Sequence, residues 1–430
     1  MKRDHEFDVI LWGSTGSTGR RAAHHLALRA DNGKRLRWAL GGRNQSKLEA
    51  LREQLGPESA GTPIVTAESH DVASLGEMVA RTRVVCSVVG PYAMFGSELL
   101  GACVRSGTDY CDLAAEAHWI RRMIDTHQAE AEQTGARLVH ACGMDSVPSD
   151  LGVLFLQTAA MERFGEPCRQ IKMRIDEFSG GFSGGTAGCL IYGMEHNDDE
   201  LIGECMTQPY SLNPEGMRQG PEKPNKMMST EVEYDEDLGV WTRPFFMGPM
   251  NTKIVRRSHA LMGYPYGEGF LYGPESQMVG SGPLGWLKAK AGALKFAGLV
   301  VATAIPPTRP LMTKYVLPKP GEGPDAETRD NGEWGVVLVG KTADGRIIKA
   351  RLHGDGDPGT ESTSRMIVES ALCLAEDADK IQVGGGSWTP ASAMGGLLLS
   401  RLIAHAGVSL YVSREVVEIG LGPSLRGVTV

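Results

Sequence analysis

Three glycines at three-residue spacing, Gly13, Gly16 and Gly19, alternate with hydroxyl residues in the run Gly13-Ser14-Thr15-Gly16-Ser17-Thr18-Gly19. That composition suits phosphate. Glycine lets the main chain turn tightly, approach a pyrophosphate closely and pack a helix on a strand. Thr15, Ser17 and Thr18 add hydroxyl donors. The context decides how much weight the glycines bear. Phe7 to Trp12 is an apolar run of strand length ahead of them, and Arg20 to Leu28 reads as a helix after them. A helix N-terminus at that turn offers free N–H groups and a positive dipole end. The spacing is GxxGxxG rather than the usual GxGxxG, yet strand, turn and helix follow in the order a dinucleotide-binding half requires.

A second strand, Leu36 to Leu40, ends in Gly41-Gly42-Arg43-Asn44. An NAD-binding half usually places Asp or Glu at this strand end, to bind the ribose 2′-hydroxyl. Here Arg43 and Asn44 stand there, with Lys47 one helical turn on. A guanidinium fork suits a 2′-phosphate, which a carboxylate would repel. NADP(H) is therefore the expected cofactor. Asp71, after a third strand at Ile64 to Ala67, could reach the adenine amine or cap the helix that begins at Val72. The fourth strand, Arg83 to Val89, is nearly all apolar, as a central parallel strand should be. Its carboxyl end, Val89-Gly90-Pro91-Tyr92, is expected beside the nicotinamide, because ligands of open α/β sheets sit at the carboxyl ends of strands.

The elements that must position these residues continue the alternation. Helices are expected at Glu98–Ser106 and Trp119–Gln133, and a strand at Arg137–Cys142. The fold class is α/β: a Rossmann-type, doubly wound parallel sheet with a second α/β or α+β substrate domain. A length of 430 residues is two or three domains' worth. Residues 1–146 form the NADP-binding unit and 147–389 the substrate and dimerisation unit, with 390–430 returning to the first. Residues 206–282, rich in Pro, Gly, Met and charge, read as long loops and short strands over a binding site. Gly335–Gly340 and Arg346–Leu352 read as a hairpin turned at Asp344-Gly345.

Composition narrows the class. With 44 basic and 52 acidic residues the net charge is −8, which argues against a nucleic-acid partner. The 8 cysteines form no CxxC pair and no zinc spacing, so buried free thiols are expected. The N-terminal run MKRDHEFDVILWG has no apolar signal core, which predicts a cytoplasmic protein. One segment stands apart. Residues 284–305 are apolar but carry Lys288, Lys290 and Lys295, and their uncharged part is shorter than the roughly 20 residues of a membrane span. As a helix the segment could lie on a membrane surface, cover an apolar substrate, or fill a core or dimer interface.

Taken together, GSTGSTG after a strand, CSVVGPYAMFG, GTDYCDLAAE, CGMDSVPSDLG, SGGFSGGTAG and GGGSWTPASAMG resemble the saccharopine dehydrogenase-like oxidoreductases, and within them the trans-acting enoyl reductase branch. The resemblance runs from residue 13 to about 395. It implies a nucleotide domain completed by a returning C-terminal helix, an active cleft against the middle domain, and a homodimer. It aligns Gly13, Gly16 and Gly19 with the family's phosphate turn, Gly90-Pro91-Tyr92 with its nicotinamide-side strand end, and Gly143 to Asp150 with its domain junction. Ser17 stands where many relatives carry an aromatic. The implied reaction is NADPH-dependent reduction of an enoyl group on a small-molecule or carrier-bound acyl thioester. The alternatives are action on an amino-acid conjugate and non-catalytic NADP(H) binding by a lipid-associated protein. The enolate oxygen of an enoyl substrate needs a donor. Tyr92 is the candidate donor; Asp145 and Ser146 are candidates for contact with substrate or ribose, and Asp145 could instead cap the segment that follows and hold the domain junction. Asp109, Asp112 and Glu116 are expected to make structural hydrogen bonds.

Overall fold

The computed structural model describes residues 5–31, 36–179, 184–196, 198–222, 231–319, 323 and 325–413. Two seven-stranded sheets organise them. The strands of the first are β1 (Phe7–Trp12), β2 (Trp38–Gly42), β3 (Ile64–Thr66), β4 (Thr82–Ser87), β5 (Asp109–Asp112), β6 (Arg137–Val139) and, from far along the chain, β13 (Gly386–Trp388). All pairings are parallel, in the order β13-β6-β5-β4-β1-β2-β3. Ile10 of β1 pairs with Ala39 on one side and Val85 on the other. Both neighbours are apolar because helices cover both faces, as in parallel sheets generally. The chain runs outward from β1 to β3 and then returns to β4 beside β1. This reversal makes the carboxyl ends of β1 and β4 the point where such sheets bind ligands.

The second sheet is mixed. Its strands are β7 (Cys168–Phe178), β8 (Glu233–Asp235), β9 (Val240–Pro244), β10 (Leu271–Gly280), β11 (Glu333–Thr342), β12 (Ile347–Asp355) and β14 (Val408–Ser413). The order is β14-β12-β11-β7-β10-β9-β8, and only β7 with β10 runs parallel. The expected hairpin is β11–β12, closed where Thr342 N–H meets Arg346 O at 2.9 Å and Gly345 takes φ +92°. The Val147–Phe164 helix leads from the first sheet onto the second, and Gly152 lets it settle against Leu338 and Leu352.

The chain crosses between the sheets more often than a division at 146 and 389 implies. The Thr363–Glu376 helix packs on β1, β4 and β5 of the first sheet, and β13 forms that sheet's edge. Conversely, β14 pairs with β12 of the second sheet, and 414–430 lie outside the described residues. Within the Thr363–Glu376 helix, Glu369 is fully buried and bridges Arg29 (2.8 Å), His25 (3.1 Å) and Arg401 (3.1 Å), which ties it to the helix after the glycine turn.

The stretch read as loops and short strands holds a helix, Gly248–Leu261, that is buried almost throughout. Its sequence shows no apolar stripe because its arginines and Ser258 find partners inside the protein. Arg257 donates to Leu212 O and Ser387 O, Arg256 to Tyr272 O, and Ser258 pairs with Asp150 and Thr389. A polar helix can be buried when its donors find partners. The eight cysteines are all unpaired, and only Cys189 is not fully buried. Among the described residues no single helix is long and apolar enough to cross a membrane. The Gly282–Ala304 and Arg309–Tyr315 helices pass that test only as a pair, bent by 115°.

Candidate active site

The glycine turn is built as the spacing suggested. Gly13 takes φ +93°, and a Cβ there would come within 2.5 Å of the Val89 side chain. A Cβ on Gly19 would meet Gly13 O at 2.1 Å, whereas one on Gly16 would meet only Gly13 O at 3.4 Å. The first and third glycines are thus sterically required and the middle one much less so. Ser14 braces the turn: its hydroxyl donates to Leu11 O (2.7 Å) and accepts from Gly41 N–H (3.2 Å). The Ser17–Asp31 helix starts here. Thr15, Ser17 and Thr18 are half-buried around its N-terminus.

At the end of β2, Arg43 and Lys47 are exposed, and among the described residues neither side chain has a hydrogen-bond or ion-pair partner. Asn44 caps the Gln45–Gln54 helix by accepting from Lys47 N–H at 2.9 Å, which fixes where Lys47 starts. Asp71 serves the other purpose open to it. Its Oδ1 accepts from Ala73 N–H (3.0 Å) and Ser74 N–H (3.4 Å), so it is the N-cap of the Val72–Val79 helix. Two main-chain donors hold the carboxylate toward its own helix.

After β4 the chain passes Val88, Val89, Gly90 and Pro91, all half-buried, into the short Tyr92–Phe95 helix. Here the expectation for Tyr92 is corrected. Its ring is buried against Trp119, and its hydroxyl donates to Ser87 O (2.9 Å) while accepting from Leu113 N–H (3.0 Å). Both functions of the hydroxyl are spent on main chain, and burial holds its proton well above the usual phenol range. Tyr92 is a strut between the ends of β4 and β5, not a donor to a ligand.

The carboxylates near it divide the work. Glu116, buried, caps the turn after β4: it accepts from Tyr92 N–H (2.7 Å) and Ala93 N–H (3.1 Å). Cys189, on the Gly184–Glu195 helix, donates to the same carboxylate at 3.2 Å. Neighbouring Gly188 lies against Pro91, where a Cβ would sit 3.1 Å from the ring. Asp112, fully buried, holds the turn after β6. It accepts from Ala141 N–H and Ala114 N–H (both 3.0 Å) and pairs with His140 Nδ1 (2.7 Å). Ala141 is thereby kept at φ +61°, a strained conformation for a residue with a Cβ. Asp109 pairs with Arg137. All three acids make the structural hydrogen bonds expected of them.

That braced turn delivers Asp145. It is half-buried, its carboxylate has no hydrogen-bond partner among the described residues, and burial pushes its pKa up to about 6. Its neighbours on both sides are anchored: Met144 N–H donates to Thr363 Oγ1 (3.1 Å) and Ser146 Oγ to Asn251 Oδ1 (3.1 Å). Asp145 also lies close enough to Cys189 to raise the thiol's pKa. The strand ends therefore gather Pro91, Glu116, Asp145 and Cys189 around one region. Cys189 was not singled out from the sequence. Its glycine-dense run was the only signal, and its contact with a residue 73 positions away has no local signature.

Comparison with known proteins agrees with this geometry. Residues 9–139 match the saccharopine dehydrogenase NADP-binding domain. A Mycobacterium tuberculosis protein provisionally named as a trans-acting enoyl reductase is 40% identical over 416 residues, covering 95% of this chain and 98% of its own. The chain belongs to the saccharopine dehydrogenase-like oxidoreductases, in the trans-acting enoyl reductase branch. A Mycobacterium ulcerans trans-acting enoyl reductase is 35% identical over 425 residues, covering 95% of this chain and 98% of its own. Saccharopine dehydrogenase (L-Glu forming) from Saccharomyces cerevisiae, 13% identical, superposes with a TM-score of 0.53 over 95% of this chain and 100% of its own, which establishes the shared fold. The chain is an NADP-dependent oxidoreductase of this family. The site fits that cofactor: the Gly13–Gly19 cradle leaves room only for main chain beside a ligand, and Arg43 and Lys47 stand unpaired where a 2′-phosphate would be met.

Proposed function

We propose that this oxidoreductase reduces the carbon–carbon double bond of an enoyl thioester, free or held on a carrier, with NADPH as reductant. The observation that carries the reading is the 40% identity over 416 residues to a relative provisionally named for that activity. The electrostatics of the strand-end region support it. Burial raises the pKa of both Asp145 and Glu116, and no cation figures among the causes of either shift. A substrate with two carboxylates of its own would meet like charge there, whereas a thioester is neutral. This favours the acyl reading over an amino-acid conjugate.

When bound, NADPH supplies the hydride. The chain's own groups do the rest. The glycine turn and the Ser17–Asp31 helix start hold the pyrophosphate, and Arg43, Asn44 and Lys47 the 2′-phosphate side. Tyr92, Glu116 and Asp112 keep the strand-end turns rigid. Asp145, protonated below about pH 6, is the candidate donor to the substrate's α-carbon. A raised carboxyl pKa keeps such a proton available nearer neutrality. The test sets a medium-chain 2-enoyl thioester against saccharopine and glutamate conjugates of matched concentration, following NADP(H) absorbance. Turnover of the thioester alone supports the proposal, and turnover of the amino-acid conjugates alone overturns it.

A further inference from the structure

The Gly282–Ala304 helix is attached by a narrow seam of small residues. Gly285, Ala289 and Ala293, four apart, are buried against β9 and β10, with Val300 and Thr303 further along. The opposite side carries large apolar groups in the open. Leu287, Leu294 and Val301 repeat every seven residues, two helical turns, and so form one stripe. They are 57%, 62% and 44% exposed, and Leu284 is 62% exposed. The following helix, Arg309–Tyr315, adds exposed Leu311 and Tyr315. Isolated exposed apolar residues need no explanation, but a continuous face of this size does.

Charge selects the occupant of this face. From Gly282 to Tyr315 the charged residues are Lys288, Lys290, Lys295, Arg309 and Lys314, with no Asp or Glu, in a chain whose net charge is −8. A second copy docking by the same face would set these cations against themselves, because a two-fold interface is self-complementary. A water-exposed stripe of Leu, Val and Ile flanked by lysines instead matches an interfacial helix on anionic lipid. Neither helix alone is long and apolar enough to cross a bilayer, and the two are bent by 115° against each other.

We propose that the Gly282–Ala304 and Arg309–Tyr315 helices dock this protein on an anionic membrane surface. Docking there has a consequence for the active site. Arg309 donates to Met194 O (3.4 Å) and pairs with Glu195 (3.5 Å) at the end of the helix that carries Cys189. The Gly282–Ala304 helix also packs on that same helix. The bilayer therefore meets the protein on the Cys189 side of the cleft, where an apolar substrate leaving the membrane arrives next to the strand ends. The inference does not depend on the enoyl assignment, since lipid alone is the probe.

The experiment is flotation of the full chain with vesicles of phosphatidylcholine containing phosphatidylglycerol, and with phosphatidylcholine alone. The bound fraction is expected to be about tenfold or more greater on the anionic vesicles and to fall with added salt. Two variants are compared. Lys288→Glu with Lys290→Glu and Lys295→Glu removes the anionic preference. Leu287→Ser with Leu294→Ser and Val301→Ser removes binding to both vesicles. NADPH titration reports that each variant is folded, as these side chains lie outside the cofactor site. Absence of wild-type binding to anionic vesicles overturns the proposal. So does a serine variant that floats unchanged but shifts from dimer to monomer in light scattering, which would assign the face to a second copy.

Discussion

The thiol of Cys189 lies 3.2 Å from Glu116 Oε1, the oxygen that also accepts from Tyr92 N–H at 2.7 Å. One buried carboxylate thus joins the helix over the cleft to the turn that follows β4. Removing it, as Glu116→Ala, strands two main-chain donors, each costing about 1–3 kcal/mol when left unsatisfied. We expect a loss of about 2–4 kcal/mol in urea unfolding on that basis, and weaker NADPH binding as the Gly90-Pro91 turn loosens. Glu116→Gln keeps an acceptor and is expected to lose less than half as much.

The three glycines should not respond alike. Gly13→Ala places a Cβ 2.5 Å from Val89 at φ +93°, and Gly19→Ala places one 2.1 Å from Gly13 O. Each is expected to lower NADPH affinity by about 100-fold or more, since strain of this kind costs on the order of 1–3 kcal/mol before the clash is counted. Gly16→Ala, with its nearest neighbour at 3.4 Å, is expected to stay within about fivefold of the parent. Fluorescence titration of the three variants checks the ranking.

The exposed cations at the end of β2, Arg43 and Lys47, are proposed to set cofactor choice. Arg43→Ala is expected to weaken NADPH binding by about 10- to 100-fold, the worth of a charge-assisted hydrogen bond. NADH binding should hardly change, because the ribose 2′-hydroxyl carries no charge. Lys47→Ala should act in the same direction and more weakly, as a point charge rather than a fork. Parallel titrations with both cofactors measure this, and an equal loss for both would remove the 2′-phosphate assignment.

How much of this could be read from the residues depended on distance along the chain. The glycine turn, the strand before it and the Asp344-Gly345 hairpin are local patterns, and each formed where its spacing indicated. The Arg43 position was legible because strand and turn place it within a few residues of a known geometry. Tyr92 was misjudged for a physical reason. A strand end faces a ligand as main chain, but its side chain turned inward to satisfy Ser87 O and Leu113 N–H, and no local signal reports that. Of the two local roles open to Asp71, capping is the one its hydrogen bonds show. The Gly248–Leu261 helix was missed because its arginines are buried on distant carbonyls, such as Ser387 O for Arg257. The return of β13 and the Thr363–Glu376 helix to the first sheet is likewise long-range, and periodicity carries no information about it.

Asp145 gives the account its pH dependence. Burial lifts its carboxyl from an ordinary 3.8 to about 6, so it is protonated below about pH 6 and ionised above. As proton donor it should make turnover fall toward tenfold per unit as pH rises past 6, when chemistry limits the rate. Asp145→Asn is expected to abolish that limb and most turnover while NADPH binding persists. The sign for stability is the same. A raised folded-state pKa favours folding fully below the unfolded value, and that contribution is lost as pH rises through about 6. Asp145→Asn should therefore flatten the fall in melting temperature over that interval.

The central claim, hydride transfer to an enoyl thioester, is tested most directly with NADPH carrying deuterium at C4 and a medium-chain 2-enoyl thioester. Mass spectrometry of the acyl product should show a saturated chain with one deuterium at the β-carbon, formed in step with loss of NADPH absorbance. Tight NADPH binding with no deuterium in any acyl product, across free and carrier-bound thioesters, would contradict the account.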